Sequence, residues 1–178
     1  ALGYKDGTLD VKDVPRAPGM KYRHYSPKAR VVLFDSTSNP VGVMKHVQKD
    51  LKDTAIGAHK IGIIRTRNWQ LGLGLASEDD IANTMTPVSS AIENIVSVPI
   101  QIPVLENGKP SSRTKIAYDY HLGSDAVSIA HGLFAALRAL DELNVDVIYV
   151  EGVSDCEGDL AAAVMNRLRK AAGAEMRV

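Results

Sequence analysis

The segment Val145–Lys170, "VDVIYVEGVSDCEGDLAAAVMNRLRK", carries the pattern from which the fold follows. Val145–Val150 is a short run of β-branched and aromatic residues, the composition of a strand buried on both faces. "EGVSDCEG" is rich in Gly, Ser and acidic residues and reads as a loop. Asp159 caps a helix in which Leu160, Val164, Met165 and Leu168 recur at helical spacing and face inward. Arg167, Arg169 and Lys170 lie at its C-terminal end, where the helix dipole favours positive charge, and Gly173 stops it.

The same alternation extends toward the N-terminus. Ile116–Tyr120 reads as a strand, and Ser124 caps a long helix that runs to about Leu143. The buried stripe of that helix is Val127, Ala130, Phe134, Leu137 and Leu140. Lys60–Arg65, "KIGIIR", and Val31–Phe34 are two more apolar runs of strand length. Between them Val41–Leu51 reads as a helix with Val43, Met44, Val47 and Leu51 on one face. Ser77 caps a short helix with Glu78, Asp79 and Asp80 in its first turn. "IVSVPIQIPVL" is strand-like, but Pro99 and Pro103 demote it to an edge or an irregular extended segment, and Asn107-Gly108 is a turn. Strands alternating with helices require crossover connections. The expectation is a three-layer, Rossmann-like α/β domain over residues 30–178 with a mostly parallel sheet.

Residues 1–29 follow another pattern. Pro15, Pro18 and Pro27 remove backbone donors and bias their predecessors toward extended conformations, and no apolar period is present. This part reads as an extended arm. The chain has 178 residues, 45% hydrophobic and 24% charged, which suits a domain with a proper core plus a tail. The formal net charge is zero and aromatics make up 5%, so neither direct nucleic-acid binding nor a membrane surface is indicated. No apolar run approaches the roughly 20 residues of a membrane span. The single cysteine, Cys156, allows no internal disulfide and fits a reducing, cytoplasmic setting. The chain opens on Ala1 rather than Met, so the expectation is a fragment or a processed product.

Familiar catalytic patterns are missing from the sequence. It contains no P-loop and no G-x-S-x-G elbow. "GLGLAS", Gly72–Ser77, lacks the third glycine of a dinucleotide fingerprint. His24, His46, His59, His121 and His131 form no close pair at metal-ligand spacing, so no metal site is expected. The natural functional position of such a fold is the loop where a strand leads into a helix N-terminus. Here that loop holds Glu151, Gly152, Ser154, Asp155, Gly158 and Asp159, with Glu157 between them. Its carboxylates would repel a phosphate unless Mg²⁺ bridged them. The plainer alternative is a capped helix behind a solvated acidic loop, with Cys156 an inert thiol among carboxylates.

The arm contains "KYRHYSP". In an extended chain Lys21, Arg23 and Tyr25 share one side and Tyr22 and His24 the other. Arg and Lys suit phosphate or carboxylate groups, and tyrosines add flat contact area at low entropic cost. Such a segment can cover an anionic ligand held by a neighbouring domain, or it can simply dock on its own.

"APGMKYRHYSPKA", Ala17–Ala29, resembles the linker of the two-domain threonylcarbamoyl-AMP synthases, the longer branch of the YrdC-type family. "HLGSDAVSIAHGLFAALRALDE", "VDVIYVEG" and "GDLAAAVMNRLRKAAG" resemble that family's C-terminal domain. The resemblance implies an enzyme that converts threonine, bicarbonate and ATP, with Mg²⁺, into threonylcarbamoyl-AMP and pyrophosphate. The product serves tRNA threonylcarbamoyladenosine modification. It implies that the chemistry belongs to a YrdC-type catalytic domain of the same polypeptide, with no catalytic residue and no cofactor in the present segment. It also implies a lid role for Lys21, Tyr22, Arg23, His24 and Tyr25 over the catalytic cavity. Two other readings of the α/β domain stay open, a small-molecule-binding regulatory domain and a structural or oligomerisation module.

Overall fold

Successive side chains of a strand point to opposite faces, and in Arg30–Phe34, strand β1, both faces are apolar. Val31 and Leu33 enter one buried cluster, whereas Val32 and Phe34 enter another. A strand buried in this way lies between two layers of helices. The computed structural model, which describes residues 25–53, 60–84, 86–87, 94–172 and 175–178, has that architecture. After β1 come α1 (Pro40–Lys52), β2 (Lys60–Arg65), α2 (Glu78–Thr84), β3 (Thr86–Pro87), β4 (Ile95–Glu106) and β5 (Lys109–His121). The chain continues through α3 (Ala126–Glu142), β6 (Val147–Glu151), α4 (Asp159–Ala172) and β7 (Glu175–Met176). The strands form one sheet in the order β3-β4-β5-β2-β6-β1-β7. The pairs β5–β2, β2–β6, β6–β1 and β1–β7 are parallel; β3–β4 and β4–β5 are antiparallel. Strand β6 lies between β1 and β2, so the order is not that of a dinucleotide-binding sheet, in which the first two strands are neighbours.

Helix α1 covers one face with Val43, Val47 and Leu51. Helices α3 and α4 cover the other with Ile129, Leu133, Leu137, Leu140, Val164, Met165 and Leu168. The expected three-layer α/β domain with a mostly parallel sheet is therefore present. Several local expectations need correction. The cap of α3 is Asp125 rather than Ser124, since the Asp125 side chain accepts the Ser128 amide. Its buried stripe is Ile129, Leu133, Ala136, Leu137 and Leu140, while Val127 is 53% exposed. Phe134 is only half buried, and Arg167 lies over its ring with the guanidinium carbon 5.3 Å from the centroid. In α4, Asp159 is the first helical residue rather than the cap, and Ala161 takes the inward position expected of the exposed Leu160. Gly173 lies outside the described residues.

Of the two expectations for the segment around Pro99 and Pro103, the edge strand is the one present: β4 pairs with β5 along its whole length, and among the described residues β3 meets its other side only at Val96 and Ser97. The Gln101 amide points away from β5 and donates to the Leu75 carbonyl at 2.9 Å. Backbone groups alternate sides along a strand, so Pro99 and Pro103, of the same parity as Gln101, also face outward. The missing donors thus fall on the outer edge and cost the β4–β5 ladder nothing.

Candidate functional site: the two edges of the sheet

Strands β1, β2 and β6 end together at the C-terminal edge, the default ligand position of an open α/β sheet. Glu151, the last residue of β6, is 3% exposed there. Its carboxylate accepts backbone amides of Thr66 at 2.7 Å, Arg67 at 3.2 Å, Asn68 at 2.5 Å and Trp69 at 3.3 Å. A buried charge is costly unless its lone pairs are met, and four donors from one loop meet them. Asp119, on β5, anchors the next part of the same loop. It accepts from Arg65 Nε at 2.6 Å and from the Gly72 amide at 2.9 Å, and Arg65 also reaches the Trp69 carbonyl. Burial raises the Asp119 carboxyl above its ordinary range, opposed by Arg65 and the Gly72 amide. Gly152 is required by close approach, because a Cβ there would meet the Phe34 carbonyl oxygen at 2.5 Å.

The acidic loop is divided rather than convergent. Glu151 points into the core; Asp155 forms a two-point pair with Arg169 at 3.1 and 2.6 Å; Glu157 pairs with Arg67. Arg67 holds the Glu157 carboxyl below its usual range. Ser154 closes the turn by accepting the Cys156 amide at 3.3 Å. Gly158, at φ 113°, makes the bend into α4, and Asp159 is exposed in the first turn. Cys156 is a free, exposed thiol. The arginines and amides that take up these carboxylates are not legible in the sequence, because Glu157 and Arg67 are 90 positions apart. Two clefts flank the edge. One, of about 270 Å³, lies between Pro40, Val41 and Met44 of α1 and Asn68, Trp69 and Leu73. The other, of about 490 Å³, is lined by Asn94, Tyr120, His121, Ser128 and His131. Among the described residues no three His, Cys, Asp or Glu side chains gather to hold a metal.

The N-terminal edge of the sheet receives the arm. Lys21, Tyr22, Arg23 and His24 lie outside the described residues, while residues 25–29 rest against α3. The Tyr25 hydroxyl donates to Asp141 Oδ2, and its ring packs on the cluster beneath α3. Burial and the Asp141 carboxylate raise the Tyr25 phenol well above its ordinary value. The Lys28 amide lies 3.1 and 3.2 Å from the two Asp141 oxygens, and the Ala29 amide 3.5 Å from Oδ1. Next in sequence, Arg30 donates to Asp50 at 2.6 Å, and Asp50 also accepts the hydroxyl of the buried Tyr149 at 2.6 Å. Strand β1 separates the arm's root from the C-terminal edge by about 17 Å, at 3.3 Å per residue. The root and the acidic loop are thus two places rather than one site. Among the described residues no helix is long and apolar enough to cross a membrane.

A family model described as "Threonylcarbamoyl-AMP synthase, C-terminal domain" matches residues 3–173. The threonylcarbamoyl-AMP synthase of Schizosaccharomyces pombe is 33% identical over 172 residues, covering 94% of this chain and 32% of that protein. That of Pyrococcus abyssi is 30% identical over 161 residues, covering 90% and 33%. A crystal structure of P. abyssi Sua5 complexed with L-threonine superposes with a TM-score of 0.50 at 28% identity, covering 91% of this chain and 34% of that one. A second P. abyssi Sua5 structure, with an adjacent histidine and tyrosine both replaced by alanine, gives 0.51 at 27% identity, covering 91% and 33%. The chain spans about a third of the length of the relatives it matches.

Proposed function

The chain belongs to the family of threonylcarbamoyl-AMP synthase C-terminal domains, and on that premise we propose that it is the accessory C-terminal third of such a synthase. The observation that carries this reading is a family match over residues 3–173 combined with relatives three times as long. In the proposed reaction bicarbonate carboxylates the threonine amine with loss of water. The resulting carbamate then attacks the α-phosphorus of ATP, and pyrophosphate leaves. ATP, Mg²⁺, threonine and bicarbonate are taken up by a YrdC-type catalytic domain of the same polypeptide, in the cytoplasm. The adenylate then serves tRNA modification.

The present chain contributes the arm. Lys21, Tyr22, Arg23, His24 and Tyr25 form a lid over the catalytic cavity, anchored through Tyr25 on the α/β domain. A closed lid excludes water from a labile carbamate and a reactive mixed anhydride. Arg23 and Lys21 offer positive charge to phosphate or carboxylate oxygens. His24-Tyr25 is the only His-Tyr dipeptide in the chain. An adjacent histidine and tyrosine are also the residues replaced in one P. abyssi Sua5 structure, which supports a role for this pair. Pyrophosphate release from ATP with threonine and bicarbonate tests the reading. This chain alone should be inactive, and adding a YrdC-type catalytic domain should restore release. Release by the chain alone would refute the accessory role.

A further inference from the structure

Asp141 stands in the last turn of α3, where the helix dipole disfavours a carboxylate. Its position is explained by what it holds. Within a stretch of five residues, the Tyr25 hydroxyl, the Lys28 amide and the Ala29 amide all turn toward this one side chain, more than 100 positions away in sequence. The Tyr25 ring adds apolar contact with the cluster beneath α3, so the root is fixed by packing as well as by charge. Arg30 follows and is tied to Asp50, on the opposite layer. The chain is therefore gripped from both helical layers as it enters β1. The grip that acts on the arm itself, ahead of β1, is Asp141.

We propose that Asp141 is a positioning residue for the synthase reaction, fixing the point and direction in which the arm leaves the α/β domain. It acts through Tyr25 and the Lys28 and Ala29 amides and touches no substrate. The inference rests on the lid reading above. A lid pivoting on a loose root closes less often on bound ligand, so the rate of the closed complex falls while ligand binding in the catalytic domain persists.

The test uses the full-length polypeptide carrying Asp141→Asn, Tyr25→Phe, or both. Each single variant should lower kcat for pyrophosphate release about fivefold, with KM for ATP within about twofold of wild type. The double variant should be no slower than the slower single, because both changes open the same clasp. Hydrogen exchange at the Lys28 and Ala29 amides should quicken about tenfold in Asp141→Asn. Wild-type kcat in Asp141→Asn, or unchanged exchange at those amides, would overturn the proposal. Arg23→Ala, run beside them, separates the two ideas. A slow Arg23→Ala with a wild-type Asp141→Asn refutes the clasp and leaves the lid standing. Wild-type rates in both refute the lid, and the clasp's role with it.

Discussion

The two edges of the sheet use carboxylates in opposite ways. At the C-terminal edge Glu151 and Asp119 are buried and knit a loop of the domain to its own strands. At the N-terminal edge Asp141 is turned toward the residues that lead into β1, Tyr25 and Lys28. The first arrangement spends the edge where α/β folds usually bind ligands on internal structure. The second prepares the opposite edge to hold an arm. The position of a strand end within a fold thus indicates where a site can be built, and the partners of its carboxylates decide whether one is.

The largest expected effect falls on Glu151. Glu151→Gln retains the shape but replaces one of the two accepting oxygens with an NH2 group that cannot accept from the loop. It should cost about 3 kcal/mol in urea unfolding. A loss below about 1 kcal/mol would break the contrast, since Glu151 would then resemble a surface residue. Gly152→Ala should follow, at about 2 kcal/mol, because its Cβ has no room beside the Phe34 carbonyl. Asp141→Asn should cost about 1 kcal/mol, as an H-bonding carboxylate at a part-buried site. Removal of residues 1–24 should leave the urea midpoint unchanged, and a lost cooperative transition would show that the arm is part of the core.

A smaller effect sharpens the same comparison through pH. The Thr37 hydroxyl and amide hold the Asp35 carboxyl below its ordinary 3.8. A lowered folded value gives stability that is present above 3.8 and lost as pH falls toward the folded value. Thr37→Val removes the hydroxyl, so its acid-unfolding midpoint should move to higher pH. Asp119 has the opposite sign, because its raised carboxyl favours the fold at low pH and loses that contribution as pH rises through the folded value. Asp119→Asn should therefore flatten the pH dependence just above 3.8.

The sequence made the layers legible because the apolar runs at β1, β2 and β6 are short, β-branched and separated by helical periods. It misplaced features that depend on rotation or on distant partners. The apolar period of α3 admits a stripe starting at Val127, but Ile129 and Leu133 are the residues that face the sheet. Pro99 and Pro103 leave an edge strand and an irregular segment both open, because composition does not reveal which side of a strand a proline faces. The acidic loop looked convergent because Arg67, the amides of residues 66–69 and Arg169 are brought to it only by the fold. The two-residue β7 is too short to show a period. The arm motif is the reverse case, since its meaning lies in residue types and resemblance.

The measurement that bears most directly on the account is pyrophosphate release by the full-length polypeptide carrying a change at one edge or the other. Arg23→Ala in the arm should slow release about tenfold or more, the value of a lost charge-assisted contact. Asp155→Ala in the acidic loop should leave it unchanged. A slow Asp155→Ala beside a wild-type Arg23→Ala would contradict the account and return the functional site to the C-terminal edge.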